Sequence, residues 1–187
     1  DDHIIANFDD REAIRALAKK TDVITYEFEH IGVEILKELE AEGYNIYPSP
    51  KGLEIIQDKY QQKELLKEED LPVPDYIRVE SQADIKRAAD KFNYPLMLKS
   101  CTGGYDGKGN ALIESEADIK ASYQELNQGN KSLMVEKFVP FTKEISVLVC
   151  RGLDGEKVTY PIGENEHQDS ILIESRVPAD ISTKVGE

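Results

Sequence analysis

Cysteine is scarce in this chain of 187 residues. Cys101 and Cys150 are the only two, and their spacing fits neither a disulfide framework nor a metal motif. Cys150 closes the apolar run Ile145-Ser146-Val147-Leu148-Val149, where a buried free thiol is expected. Such usage suits a reducing cytoplasm. Long hydrophobic runs are missing as well: no stretch approaches the roughly 20 apolar residues that a membrane helix needs, so no membrane partner is expected. No basic segment followed by an apolar run marks a secretory signal. There is no initiator Met, and Asp1-Asp2-His3 leads straight into an apolar stretch, so the chain reads as a piece of a longer protein. Positive charge is also short, with 23 basic against 37 acidic residues and a formal net charge of -14. A surface this acidic repels phosphate backbones and argues against sequence-independent nucleic-acid binding. Phosphorylated small molecules stay open as ligands if cations are concentrated locally.

With 40% hydrophobic residues, the chain can bury one good core or two small ones. Short apolar runs at 4–6, 23–26 and 46–47 alternate with helical periods at 11–20, where Ile14, Leu17 and Ala18 share a face, and from Val33 to Gly43. That alternation predicts an α/β unit with a parallel sheet over residues 1–48. Ser49-Pro50 suits a helix start, and helical composition runs through Gln57-Asp58-Lys59-Tyr60 to Glu69. Leu71-Pro72-Val73-Pro74 breaks it, making 49–74 a helical connector. Residues 75–131 then read as an α+β unit. Strands at 76–79, 96–99 and 110–113 enclose a helix opened by Ser81-Gln82-Ala83-Asp84, and a second helix follows at Ser115-Glu116-Ala117-Asp118. From 132 to 187 the pattern is almost all strand, at 133–137, 144–150, 158–162 and 171–175, with a hairpin over 151–155.

The most informative segment joins two of these strands: Leu98-Lys99-Ser100-Cys101-Thr102-Gly103-Gly104-Tyr105-Asp106-Gly107-Lys108-Gly109-Asn110. Four glycines within seven residues free the backbone to turn sharply and aim amides at an anion. Lys99 and Lys108 concentrate positive charge there. A Walker A loop is excluded, since it requires Gly at position 102 and Ser or Thr at 109. A Rossmann fingerprint is excluded because a strand, not a helix, follows. The plain alternative is a mobile β-turn with solvated charges.

Other motifs accompany the loop: Thr25-Tyr26-Glu27-Phe28-Glu29-His30, Gln57-Asp58-Lys59, Val135-Glu136-Lys137-Phe138-Val139, Glu144-Ile145-Ser146 and Glu164-Asn165-Glu166-His167-Gln168-Asp169. In this order and spacing, over nearly the whole chain, the sequence resembles the carboxyaminoimidazole ribonucleotide synthetases, ATP-grasp ligases of purine (IMP) biosynthesis. It departs from them at Lys108, where the family usually has Arg, and at Ser170, where it has Gly. The first change keeps the charge but loses a planar fork.

The resemblance implies the C-terminal half of a Rossmann-like pre-ATP-grasp domain followed by an incomplete ATP-grasp domain, whose second subdomain starts at 132. It implies ATP and magnesium as cofactors, with bicarbonate and aminoimidazole ribonucleotide as substrates, and a homodimer as the family's usual form. The metal carboxylates are expected downstream of Glu187, so no metal ligand is assigned and the fragment alone is expected to be inactive. Lys59 and Lys99 would face the phosphates, with Gly104, Gly107, Gly109 and Asn110 shaping the loop. Glu136, Lys137, Phe138 and Val139 would form the adenine hinge. Glu144 would meet the ribose hydroxyls, and His167 would lie near the nucleotide. Tyr105 and Asp106 would serve both ATP and the ribonucleotide, Asp106 and Lys108 would be catalytic, and Glu27 would touch substrate. Without the resemblance, Lys59 and His167 read as solvated surface groups, residues 136–139 as a core strand leaving its sheet, and Glu144 as an exposed strand glutamate. Two rivals stand beside this reading: another ATP-grasp ligase, such as a formate-dependent transformylase or a biotin carboxylase relative, and a non-catalytic nucleotide-binding module. A bifunctional carboxylase with a second domain fits the same residues.

Overall fold

A computed structural model of the chain describes residues 2–104, 109–129 and 131–186. Its described residues divide into two compact units, one holding 2–104, 109–129 and 131–137, the other 138–186.

The first unit opens with α1 (Arg11–Ala18), which starts where the Asp10 side chain accepts from the amides of Glu12 and Ala13. Helix α2 (Val33–Ala41) ends before Gly43, whose φ of +95° closes it without a Cβ penalty. Ala18, Ile24, Val33, Ile35, Leu36, Leu39, Ile46 and Leu53 form one core. The strands expected at 4–6, 23–26 and 46–47 shrink to a single parallel bridge between Ile24 and Ile46, and Ile5 is 90% exposed. A parallel strand forms where neighbours on both sides bury it, and among the described residues 4–6 have no paired neighbour.

Ser49 caps α3 (Pro50–Ile56) by accepting from the Gly52 amide, with Pro50 in the first turn as expected. The helix does not continue to Glu69. At Asp58 the backbone turns extended, and the side chain accepts from the Tyr60 and Gln61 amides to start α4 (Lys59–Glu68). A short acidic side chain that competes for helix amides restarts a helix as readily as it joins one.

Strand β1 (Tyr76–Val79) leads to α5 (Gln82–Phe92), capped by the expected Ser81–Asp84 box. Strands β2 (Leu96–Ser100) and β3 (Asn110–Ile113) follow, then a short 3-10 turn with a Ser115–Asp118 box and α6 (Ile119–Leu126). Strand β4 (Leu133–Lys137) was expected to open the second subdomain. Instead it lies between β1 and β2 in a four-stranded antiparallel sheet of order β1-β4-β2-β3. The cause is burial: Leu133 and Val135 fill the core among Val79, Leu96, Leu98 and Ile113 beneath Ile85, Ala88, Ile119 and Leu126.

In the second unit, β5 (Glu144–Ser146), β8 (Gly163–Gln168) and β9 (Ile171–Arg176) form an antiparallel sheet, and β6 (Val149–Arg151) pairs with β7 (Lys157–Thr159). The 6–7 hairpin turns at Gly155, φ +88°, as the sequence predicts. A last turn of helix, α7, covers Thr183–Gly186. The expected strand 144–150 splits at Val147-Leu148 into β5 and β6, which join different sheets. Cys150 is consequently exposed rather than buried, and Cys101 is the buried thiol. No helix among the described residues is long and apolar enough to cross a membrane.

Candidate functional site: an open sheet face and an acidic groove

The four-stranded sheet has two unlike faces. Leu96, Leu98 and Ser100 of β2 turn toward the helices and the core, so Met97 and Lys99 turn away from it. Register places Glu136 beside Met97 and Tyr76 beside Glu136, with Asn110 and Met134 beside Lys99, on this second face. Over β4 the face is covered, with Met134 at 1% and Glu136 at 6% exposure. Over β3 it opens: Leu112 is 43% exposed and Asn110 is also exposed. Lys99 stands at the border between these zones.

Lys99 pairs with Glu136 Oε1, while Lys63 Nζ of α4 lies 2.6 Å from Glu136 Oε2, off the axis of an aligned hydrogen bond. Burial pushes the Glu136 carboxyl up, but the Lys63 and Lys99 ammonium groups outweigh it, and the net direction is down. The carboxyl therefore stays ionised, and two cations meet one anion. Lys59 is brought to the same end of the sheet, because its backbone N–H donates to the Cys101 carbonyl at 2.8 Å, just past β2. The Cys101 backbone N–H in turn donates to the Ser132 carbonyl, also at 2.8 Å, tying α4, β2 and the approach to β4 together.

The glycine loop leaves from this corner. Gly103 and Gly109 have φ of +69° and +103°, and a Cβ on Gly109 would lie 3.2 Å from Gly104 Cα, so only glycine fits where the two ends of the loop pass. The Ser100 backbone N–H donates to the Gly109 carbonyl at 2.7 Å. Tyr105, Asp106, Gly107 and Lys108 lie outside the described residues.

Residues 136–139 carry the chain from the first unit into the second. The Lys137 amide is already engaged, donating to Asp75 O at 2.9 Å, and the Val139 carbonyl accepts from Phe141 N–H at 2.9 Å. Val139 is 46% exposed.

The second unit has its own depression of about 380 Å³, lined by Phe141, Glu144, Asn165, His167 and paired ions. Glu144 and His167, both singled out in the sequence, meet here across β5 and β8, with His167 Nδ1 3.5 Å from Glu144 Oε1. Lys143 donates to Glu164 at 2.9 Å and to Asp180 O at 2.8 Å, which holds the Glu164 carboxyl below its usual range. Glu144, Glu164, Glu166 and Glu174 outnumber Lys143 and Arg176, so the groove is acidic. It suits a hydroxyl-rich group better than a phosphate.

Glu27 is not brought to the lysines. It is exposed in an irregular segment and lines a separate, mostly apolar depression of about 340 Å³ with Ile4, Phe8 and Ile14. The Gln57 amide donates to the carbonyls of Glu29 (2.5 Å) and Ile31 (2.9 Å), which explains why the motifs at 25–30 and 57–59 occur together. Lys63 belongs to none of the motifs and was not foreseen. Among the described residues no three His, Cys, Asp or Glu side chains converge as a metal site.

Two family profiles match the chain. That of the ribonucleotide synthetase pre-ATP-grasp domain covers residues 1–57, and that of the ATP-grasp domain covers residues 64–187. The chain belongs to the ATP-grasp family, and the expected fold class is borne out. It is 40% identical to a phosphoribosylaminoimidazole carboxylase of Candida glabrata over 98% of this chain and 32% of that one. It is 38% identical to an N5-carboxyaminoimidazole ribonucleotide synthase of Pseudomonas aeruginosa over 91% of this chain and 47% of that one. A crystal structure of the Aspergillus clavatus N5-carboxyaminoimidazole synthase, in complex with ADP and 5-aminoimidazole ribonucleotide, matches with a TM-score of 0.89 at 33% identity, covering 98% of this chain and 47% of that one. The chain thus spans between a third and half of the length of these relatives. The resemblance seen in the motifs is confirmed at the level of family and relatives.

Proposed function

We propose that the protein containing this chain is an ATP-dependent carbon–nitrogen ligase that carboxylates aminoimidazole ribonucleotide with bicarbonate in purine biosynthesis. The observation that carries this reading is the open sheet face: in a chain of net charge -14, Lys99 and Lys63 gather round one buried carboxylate beside a glycine loop. The relatives named for this chemistry support it.

A bicarbonate oxygen attacks the γ-phosphorus of ATP, the bond to the ADP oxygen breaks, and carboxyphosphate forms. The ribonucleotide amine then attacks the carboxyl carbon, phosphate leaves, and the amine gives up a proton. Lys59 and Lys99 are assigned to the phosphates, where a compact charge is worth most. Asp106 is assigned to orient the amine and take its proton, with Tyr105 beside the ribonucleotide, Lys108 at the transferring phosphoryl group and Glu27 toward substrate. In the acidic groove, Glu144 accepts from ribose hydroxyls with His167 next to it. Magnesium, implied by the family's chemistry, finds no fitting cluster among the described residues. A cytoplasmic location is proposed on the two free thiols, and a homodimer on the family's habit.

The test is ADP release by the intact protein with ATP, magnesium, bicarbonate and aminoimidazole ribonucleotide. Release that depends on the ribonucleotide supports the assignment. Turnover with formate in place of bicarbonate, or ATP binding with no release under any combination, overturns it in favour of a transformylase or a binding module.

A further inference from the structure

A lysine on a helix rich in Lys, Glu and Gln is ordinarily solvated, yet the Lys63 side chain is only 13% exposed and its ammonium group reaches a carboxylate on β4. The ammonium group also lies over the Tyr76 ring, with Nζ 5.5 Å from its centroid. Lys63 stands one helical turn after Lys59, so both lysines share a face of α4. Glu136 is fixed by the ladder on both sides of β4. Lys99, at 26% side-chain exposure, is the member of the cluster best placed to leave.

If Glu136 had Lys99 as its only partner, turning Lys99 toward a phosphate would strand a buried carboxylate, and breaking a buried pair in that way is strongly unfavourable. Lys63 on the second oxygen removes the obstacle. We infer that Lys63 is a positioning residue of the nucleotide site: it retains Glu136, so that Lys99 is free to meet a nucleotide phosphate. This rests on the reading of the face as phosphate-binding given above. The cluster then works as an exchange, in which Lys99 trades one oxygen of Glu136 for a phosphate oxygen while Glu136 stays neutralised by a lysine from a different element.

The experiment measures the affinity of the intact protein for ATP, ADP and adenosine in wild type, Lys63→Met, Glu136→Gln and the double variant. Met keeps an unbranched apolar side chain and removes the charge. Lys63→Met is expected to lose about tenfold in ATP and ADP affinity, the scale of one charge-assisted hydrogen bond, with adenosine unchanged. In the Glu136→Gln background, Lys99 is no longer held by a carboxylate, so adding Lys63→Met should cost almost nothing further. An equal loss in both backgrounds would mean that Lys63 touches the nucleotide itself, and an unchanged ATP affinity in Lys63→Met would mean that it does nothing for the site. Either result overturns the inference. Should Lys63→Met alone not fold, the double variant compared with Glu136→Gln still decides, because a loss there contradicts action through Glu136. A wild type with no preference for ATP over adenosine would instead overturn the phosphate reading of the face, and the inference with it.

Discussion

Lys99 is the penultimate residue of β2, and the anion it meets in the structure is the Glu136 carboxylate. Lys99→Met leaves that carboxylate with Lys63, so the fold should survive while the proposed charge-assisted bond to the nucleotide, worth about 1.5–3 kcal/mol, is removed. ATP affinity should fall about 10- to 100-fold, and calorimetry showing no change would remove Lys99 from the site. Asp106→Asn in the intact protein tests the proposed contact with the other substrate. Ribonucleotide-dependent ADP release should drop far more than ATP affinity, and equal losses would assign Asp106 to the nucleotide or to loop shape. At this scale the sequence pointed to a residue where a motif carried it, as with Lys99, which the structure places beside Glu136, and with Glu144 and His167, which it places side by side. Lys63 was not legible, because its burial comes from a strand far along the chain, and one more lysine in a charged helix carries no local mark.

Elements whose cause is local could be read directly, and the capping boxes are the clearest cases. Asp84 accepts from the amides of Glu80 and Ser81 at 2.8 Å each and from the Ser81 hydroxyl at 3.1 Å, and it pairs with Arg87. Burial pushes its carboxyl up, but these donors prevail and hold it below the usual range. A folded pKa below the unfolded value of about 4 means stabilisation that is present above that value and lost as pH falls through the folded one. Asp84→Asn should therefore cost about 1 kcal/mol at pH 7, the scale of a helix cap. The difference from wild type should narrow steadily below about pH 4. Urea unfolding across that range checks it, and a gap that is the same in acid as at neutrality would count against the ionised cap. Elements that depend on a distant partner were the ones misread. The Gly-Glu-Asn-Glu-His-Gln of β8 has no apolar alternation and forms a strand only because β5 and β9 flank it. The break at Val147-Leu148 exists because the strands on either side join different sheets.

Across the whole chain, burial is uneven in a way that composition does not reveal. Both hydrophobic clusters lie before residue 138. In the second unit Gly163 is the only buried position among the described residues, while Phe141 is 65%, Leu148 69%, Leu153 82% and Tyr160 60% exposed. Its strands are held by their hydrogen-bond ladders with little apolar area removed from water, and small sheets in that condition are marginal. Glu144 and His167 sit on those strands, whereas Lys59, Lys63 and Lys99 sit on the well-packed unit. Residues 1–187 purified by themselves should thus show one cooperative unfolding transition from the first unit. The strand signal of residues 138–187 should be lost at lower denaturant. ATP, with about four negative charges, would face a protein of net charge -14 with few cations and no convergent metal carboxylates among the described residues. Without a metal to neutralise the phosphates, several kcal/mol of transition-state stabilisation are lost, and each 1.36 kcal/mol is about tenfold in rate. The expected outcome is no measurable ADP release with magnesium, bicarbonate and aminoimidazole ribonucleotide. Turnover by these 187 residues near that of the intact protein would show that the groove is firmly folded and that the metal is held by residues within this chain.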